Sequence, residues 1–69
     1  MTQEYIREYP SGKILGIIET YENGDQTARD FTTRRILGYY KAALNITTDD
    51  LHRTLSKGNT VVSLIYRNK

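Results

Sequence analysis

The chain spells one octet twice. Residues 9–16 read YPSGKILG and residues 31–38 read FTTRRILG. Each opens on an aromatic, passes two small residues, then a small or basic position and a basic residue, and closes on Ile-Leu-Gly. Ile14-Leu15-Gly16 recurs as Ile36-Leu37-Gly38, 22 positions on. Beyond the octets both copies reach a Tyr, pass a turn candidate containing Asn, collect Thr, and end in Asp before an apolar residue. Those closing pairs are Asp30-Phe31 and Asp50-Leu51, offset by 20 positions, so the units differ by two residues at one tip. After Leu51, HRTLSKGN resembles a third, degraded start. A period of roughly 20–50 residues marks an array in which each unit buries its face on a neighbour. Whatever the first unit folds into, the second should repeat.

The first unit reads as a β-hairpin. Asn23-Gly24 lies between the strand-like runs KILGIIETYE and DQTARDF. Asn-Gly suits a type I′ turn, whose two central residues both need positive φ. Pro10-Ser11-Gly12 and Lys57-Gly58-Asn59 are further turn signals. The expected fold is therefore mainly β: a small antiparallel sheet of repeated hairpins, one domain over residues 1–69. The alternative is α+β, with helices near 33–44 and 48–57. Ile36, Leu37, Tyr40, Ala43 and Leu44 have helical spacing. The later segment has a Thr N-cap candidate, Asp49 and Asp50 in its first turn, Leu51 and Leu55 one turn apart, and a closing Gly58. TVVSLIY, 60–66, reads as a final strand.

Three runs are apolar on both faces when read as strands: ILGII, ILGYY and VVSLIY. A half-exposed antiparallel strand should alternate apolar with polar. A chain of 69 residues without cysteine has little material to cover two sheet faces and no disulfide to help. Self-association is the usual remedy. A short barrel, or a sheet covered by the chain's own helix, would serve equally. Gly16 and Gly38 inside these runs mark a bend, a bulge or a close backbone approach.

Aromatic-x-x-Gly-[Lys/Arg]-[Ile/Leu] resembles the unit of small bacterial β-hairpin repeat proteins, the four-fold beta flower type and the YD-repeat proteins. Tyr9 to Ile14 carries the pattern. Phe31 to Ile36 carries it with Arg34 where glycine is expected, and Leu51 to Leu55 follows it least. The resemblance spans residues 9–58. It implies a β fold and brings no catalytic residues with it.

Net charge is +2, unevenly spread. Residues 1–30 set three cations against six acids, net −3, and residues 31–69 set seven cations against two acids, net +5. Such polarity serves nucleic-acid contact or head-to-tail docking of copies. The N-terminus MTQEYIREYP has no apolar signal core, and the longest apolar run is far short of the roughly 20 residues of a membrane span. A soluble, cytoplasmic protein without a membrane partner is expected.

Catalytic chemistry is thinly represented. His52 is the one histidine, and no Ser or Thr has a His-acid pair to activate it. Glu19, Glu22, Asp25 and Asp30 lack the density of a calcium loop. Gly12-Lys13 is no phosphate loop. No enzyme, cofactor or metal site is expected. The candidate contact residues are Arg34, Arg35, Tyr39, Tyr40 and Lys41, extended by Arg53 and Lys57. Arginines bind phosphates, and exposed tyrosines stack bases or fill protein interfaces. The expected role is an interaction or assembly module, homo-oligomeric or bound to another protein through apolar faces or strand edges. A small basic nucleic-acid-binding protein and a small phage-type regulator of a host protein are the alternatives.

Overall fold

The computed structural model describes residues 1–67. Among them six strands and one helix follow the chain: β1 Thr2–Arg7, β2 Ile14–Thr20, β3 Gln26–Asp30, β4 Ile36–Lys41, β5 Ile46–Asp49, β6 Thr54–Lys57 and α1 Val61–Arg67. The strands pair antiparallel in sequence order, forming one open meander. The helix packs across β2, β3 and β4 on one face. The protein is mainly β, as the repeat requires.

Both helices of the α+β alternative are absent, for local reasons. Arg34 has φ 65 and His52 has φ 66, values outside a right-handed helix. The second segment is also diverted by Asp49, whose Oδ1 accepts the N–H groups of Leu51 at 2.9 Å and Arg53 at 2.8 Å. A short acidic side chain that satisfies nearby backbone donors competes directly with helix formation. Residues 33–44 instead form a turn, β4 and the following loop, and residues 48–57 belong to β5, a turn and β6.

The expected final strand is also corrected. VVSLIYR is helix α1, with Val61, Leu64 and Ile65 buried at positions i, i+3 and i+4. A short apolar run fits either period, so the pattern alone does not choose. Asn59 starts the helix by accepting the Val61 N–H on its Oδ1 at 3.2 Å. Seven residues make no stable helix in water. Packing holds this one: burying three aliphatic side chains contributes on the order of 5 kcal/mol, as an upper estimate. The core consists of Ile6, Ile18, Ala28, Val61, Leu64 and Ile65, with Leu15, Leu37 and Tyr40 packed against it.

The hairpins share one construction. At the first tip of each, an acidic residue's carbonyl accepts the N–H of a residue with positive φ. These pairs are Glu8 with Gly12 at 2.7 Å, Asp30 with Arg34 at 3.0 Å and Asp49 with His52 at 3.1 Å. The same three acidic residues donate their N–H groups to the carbonyls of Lys13, Arg35 and Arg53. Each returning strand then skips one leucine. Register shifts fall opposite Leu15 between β1 and β2, Leu37 between β3 and β4, and Leu55 between β5 and β6. HRTLSKGN thus supplies a third tip, one residue shorter than the first two, and a returning strand, before the chain enters the helix. Arg34 at the glycine position keeps the geometry of Gly12 (φ 78).

The Asn-Gly hairpin forms between β2 and β3, but not as a type I′ turn. Gly24 has φ 93, whereas Asn23 is not in the left-handed region. The Tyr21 N–H donates to Asp25 O, and the Gly24 N–H donates to Tyr21 O. The Asn23 side chain accepts the Asp25 N–H at 3.0 Å. This is the longer loop in which one glycine alone takes the left-handed conformation.

Candidate interaction surfaces

Cross-strand pairs sort the side chains onto two faces. Thr27 pairs with Glu19 and Tyr39, Ile17 with Tyr5 and Arg29, and Tyr39 with Thr48, so these side chains share the face opposite the helix. Tyr39 stacks on His52 there, ring centroids 4.5 Å apart and nearly parallel. Beyond them, the Tyr21 hydroxyl accepts from Thr27 at 3.3 Å. Tyr21, Tyr39, Lys41 and His52 line a shallow pocket of about 300 Å³. Toward β1, Tyr5 meets Phe31 edge-on at 6.1 Å, and the Arg34 guanidinium lies 4.7 Å from the Phe31 ring centre.

Between these aromatic groups lies an ion pair. Arg29 Nε donates to Glu19 Oε1 at 2.8 Å. This bond holds the Glu19 carboxyl below its ordinary value, against the opposing effect of burial, and raises the Arg29 guanidinium. At the third tip, the Arg53 N–H, the Arg53 side chain at 2.6 Å and the Leu51 N–H hold Asp49 below its ordinary value. Among the described residues no buried side-chain polar atom lacks a partner, and no three His, Asp or Glu residues gather as a metal site.

On the helix face the repeat creates two related crevices. One lies between the first and second units, where Lys13, Ile14 and Leu15 face Asp30 and Thr32 over Ile65; it holds about 210 Å³. The other lies between the second and third units, where Arg35, Ile36 and Leu37 face Asp49, Asp50 and Leu55 over Leu64. It holds about 360 Å³ and has Arg67 on its wall.

The sheet edges are unequal. β1 runs six residues and buries Ile6 alone. β6 has four residues, carries Lys57 at its end, and is followed by Gly58 at φ 82 and the path into the helix. A short, charged edge is protected against pairing, whereas β1 is a longer exposed one.

The predicted contact residues do not form one patch. Tyr39 and Lys41 stand on the open face, with Tyr40 between them on the helix face, its hydroxyl donating to Asn45 Oδ1 at 2.8 Å. Arg34 covers Phe31, Arg35 lines the larger crevice, Arg53 pairs with Asp49, and Lys57 ends the β6 edge. Sequence reasoning missed His52 as the partner of Tyr39 and Phe31 as the partner of Arg34, with Tyr5 against Phe31 and Tyr21 beside the Tyr39 pocket. Strict alternation from Gly38 puts Tyr39 on the opposite face of the sheet; its place opposite Thr27 is set by the pairing register. The His52 stack had no sequence signal, because it depends on the turn conformation at residue 52.

Comparison with protein-family models, with curated proteins and with solved structures found no match. No helix among the described residues is long and apolar enough to cross a membrane.

Proposed function

We propose that this chain is a non-enzymatic interaction module that assembles with further copies of itself. The observation that carries the reading is the polarity of the sheet. Because strand order follows sequence order, the net −3 of residues 1–30 lies with β1, β2 and β3. The later strands and the helix carry the cations of residues 31–69, apart from Lys69, which lies outside the described residues. Two copies side by side in opposite orientation set each acidic half against a basic half. Light scattering over a dilution series, at low and high salt, tests this. The expected result is a mass above 8.0 kDa that falls with dilution and with salt. A particle of 8.0 kDa at every concentration would overturn it.

A second reading is favoured by the Tyr39–His52 stack. Aromatic rings on an open sheet face, with Lys41 beside them, suit stacking by unpaired bases of a single-stranded nucleic acid. Retarded mobility of a single-stranded oligonucleotide, steeply weakened by salt and lost in Tyr39→Ala, would support it. No retardation at low salt would remove it.

A further inference from the structure

The repeat makes one residue conspicuous. Tyr9 and Phe31 are the aromatic positions of the first two hairpin tips. Phe31 is covered within its own chain, by Arg34 over its ring at 4.7 Å and by Tyr5 at its edge. Tyr9 has Gly12 where Phe31 has Arg34, and Tyr9 is 95% exposed, the highest value among the large hydrophobic side chains described. An aromatic ring left in water gives up a burial worth roughly 150–250 Å² of surface.

The first tips of all three hairpins lie at one end of the antiparallel meander, and so does the larger crevice. That crevice has the chemistry Tyr9 lacks. Ile36, Leu37, Leu55 and Leu64 give it apolar walls, Arg35 and Arg67 supply two guanidinium groups, and 360 Å³ accommodates a tyrosine ring. Asp49 and Asp50 also line it, Asp49 being held by Arg53. Guanidinium groups attract an aromatic face and donate to a phenolic oxygen.

We infer that Tyr9 of one copy docks in the crevice between the second and third hairpins of another, whose Arg35 and Arg67 provide the cover that Arg34 gives Phe31. Knob and crevice share an end of the molecule, so two copies make the contact reciprocally and close a two-fold dimer. The net −3 of residues 1–30 and +5 of residues 31–69 favour approach of the knob's half to the crevice's half, while the crevice itself sets Arg35 and Arg67 against Asp49 and Asp50. The inference rests on the self-association proposed above and names its surfaces.

Sedimentation equilibrium of the whole chain and four variants tests it. Tyr9→Ser should weaken association at least tenfold, and Leu55→Ser, on the crevice side, should weaken it in the same direction. Gly12→Arg should also weaken it, by covering Tyr9 from its own chain as Arg34 covers Phe31; a Cβ there meets no atom within 4 Å. Gly12→Asn, which tolerates the same backbone conformation, should associate as the unaltered chain does. If the unaltered chain associates and Tyr9→Ser associates equally, the docking inference fails while self-association stands. If the unaltered chain is a monomer throughout, both fail.

Discussion

Gly16 lies directly beneath Ile65. A Cβ on Gly16 would stand 2.7 Å from Ile65 Cγ2 and 2.7 Å from the Arg29 carbonyl oxygen. Gly38, its repeat equivalent, stands in the same relation to Leu64 and the Thr48 carbonyl. Two glycines of the repeated Ile-Leu-Gly motif are thus the two seats of one helix. Gly16→Ala and Gly38→Ala should each destabilise by about 1–3 kcal/mol, the range for overpacking a filled core. Urea unfolding followed by far-UV circular dichroism measures this. In an Ile65→Ala background the Gly16→Ala cost should shrink by at least about 0.5 kcal/mol, because contacting residues couple. Equal costs in both backgrounds would disprove the seat.

The helix should be required for the sheet. Ile65 is 2% exposed, and truncating a buried isoleucine to alanine costs about 2–5 kcal/mol. A domain this small has little more than that to lose. Ile65→Ala should therefore fold at low temperature but lose its strand signal, in one cooperative step, at a much lower temperature than the unaltered chain. Val62→Ala, at an exposed helix position, should change stability by less than about 0.5 kcal/mol.

Thr47 joins sheet to helix through one hydroxyl. It is fully buried, donates to Gly58 O at 2.8 Å and accepts the Thr60 N–H at 3.0 Å. Thr47→Val keeps the shape and leaves both backbone groups without their partner. Each such loss costs about 1–3 kcal/mol, so the variant should melt well below the parent in a thermal scan. Thr47→Ser, which retains the hydroxyl, should recover most of the difference.

Acid should weaken the fold through Glu19 and Asp49. Both carboxyls titrate below their ordinary values in the folded chain. Their contribution is therefore present above the unfolded-state values, about 4 for both residue types. It is lost as pH falls through the lower folded-state values. Urea midpoints taken from neutral pH downward should stay level and then drop below pH 4 or so. Glu19→Gln should start less stable at neutral pH and drop less in acid. A parallel acid limb in the two proteins would count against the Arg29–Glu19 pair.

The tip conformation predicts asymmetric effects. Gly12, Arg34 and His52 occupy the same left-handed position, which costs a side-chain-bearing residue about 1–2 kcal/mol. Gly12→Ala should lose about 1 kcal/mol despite open space around it. Arg34→Gly should be close to neutral in denaturant titrations, because the relieved backbone offsets the lost Arg34–Phe31 contact of about 0.5–1 kcal/mol.

Much of this architecture was legible beforehand. The doubled octet and the Asn-Gly tip favoured a mainly β sheet of hairpins over the α+β alternative, because turn chemistry is local and repetition carries it from one unit to the next. Gly16 and Gly38 were recognisable as special positions (a bend, a bulge or a close approach) from their place within apolar runs, and the helix over them decides for close approach. The acidic and basic halves needed no structure either. Their separation in space follows once strand order matches sequence order.

What approaches those glycines was not legible. VVSLIY satisfies the strand and helix periods equally, and a helix of seven residues has no stability of its own to announce it. Only the assembled sheet, with two positions lacking a Cβ on one face, makes the helical arrangement the one that buries Val61, Leu64 and Ile65 together. The opposite facing of Tyr39 and Tyr40 follows from strand alternation alone. The stacking of Tyr39 on His52 is decided by the tertiary structure, through a left-handed turn at His52. Local propensity does not see it, because it exists only when the strands have paired.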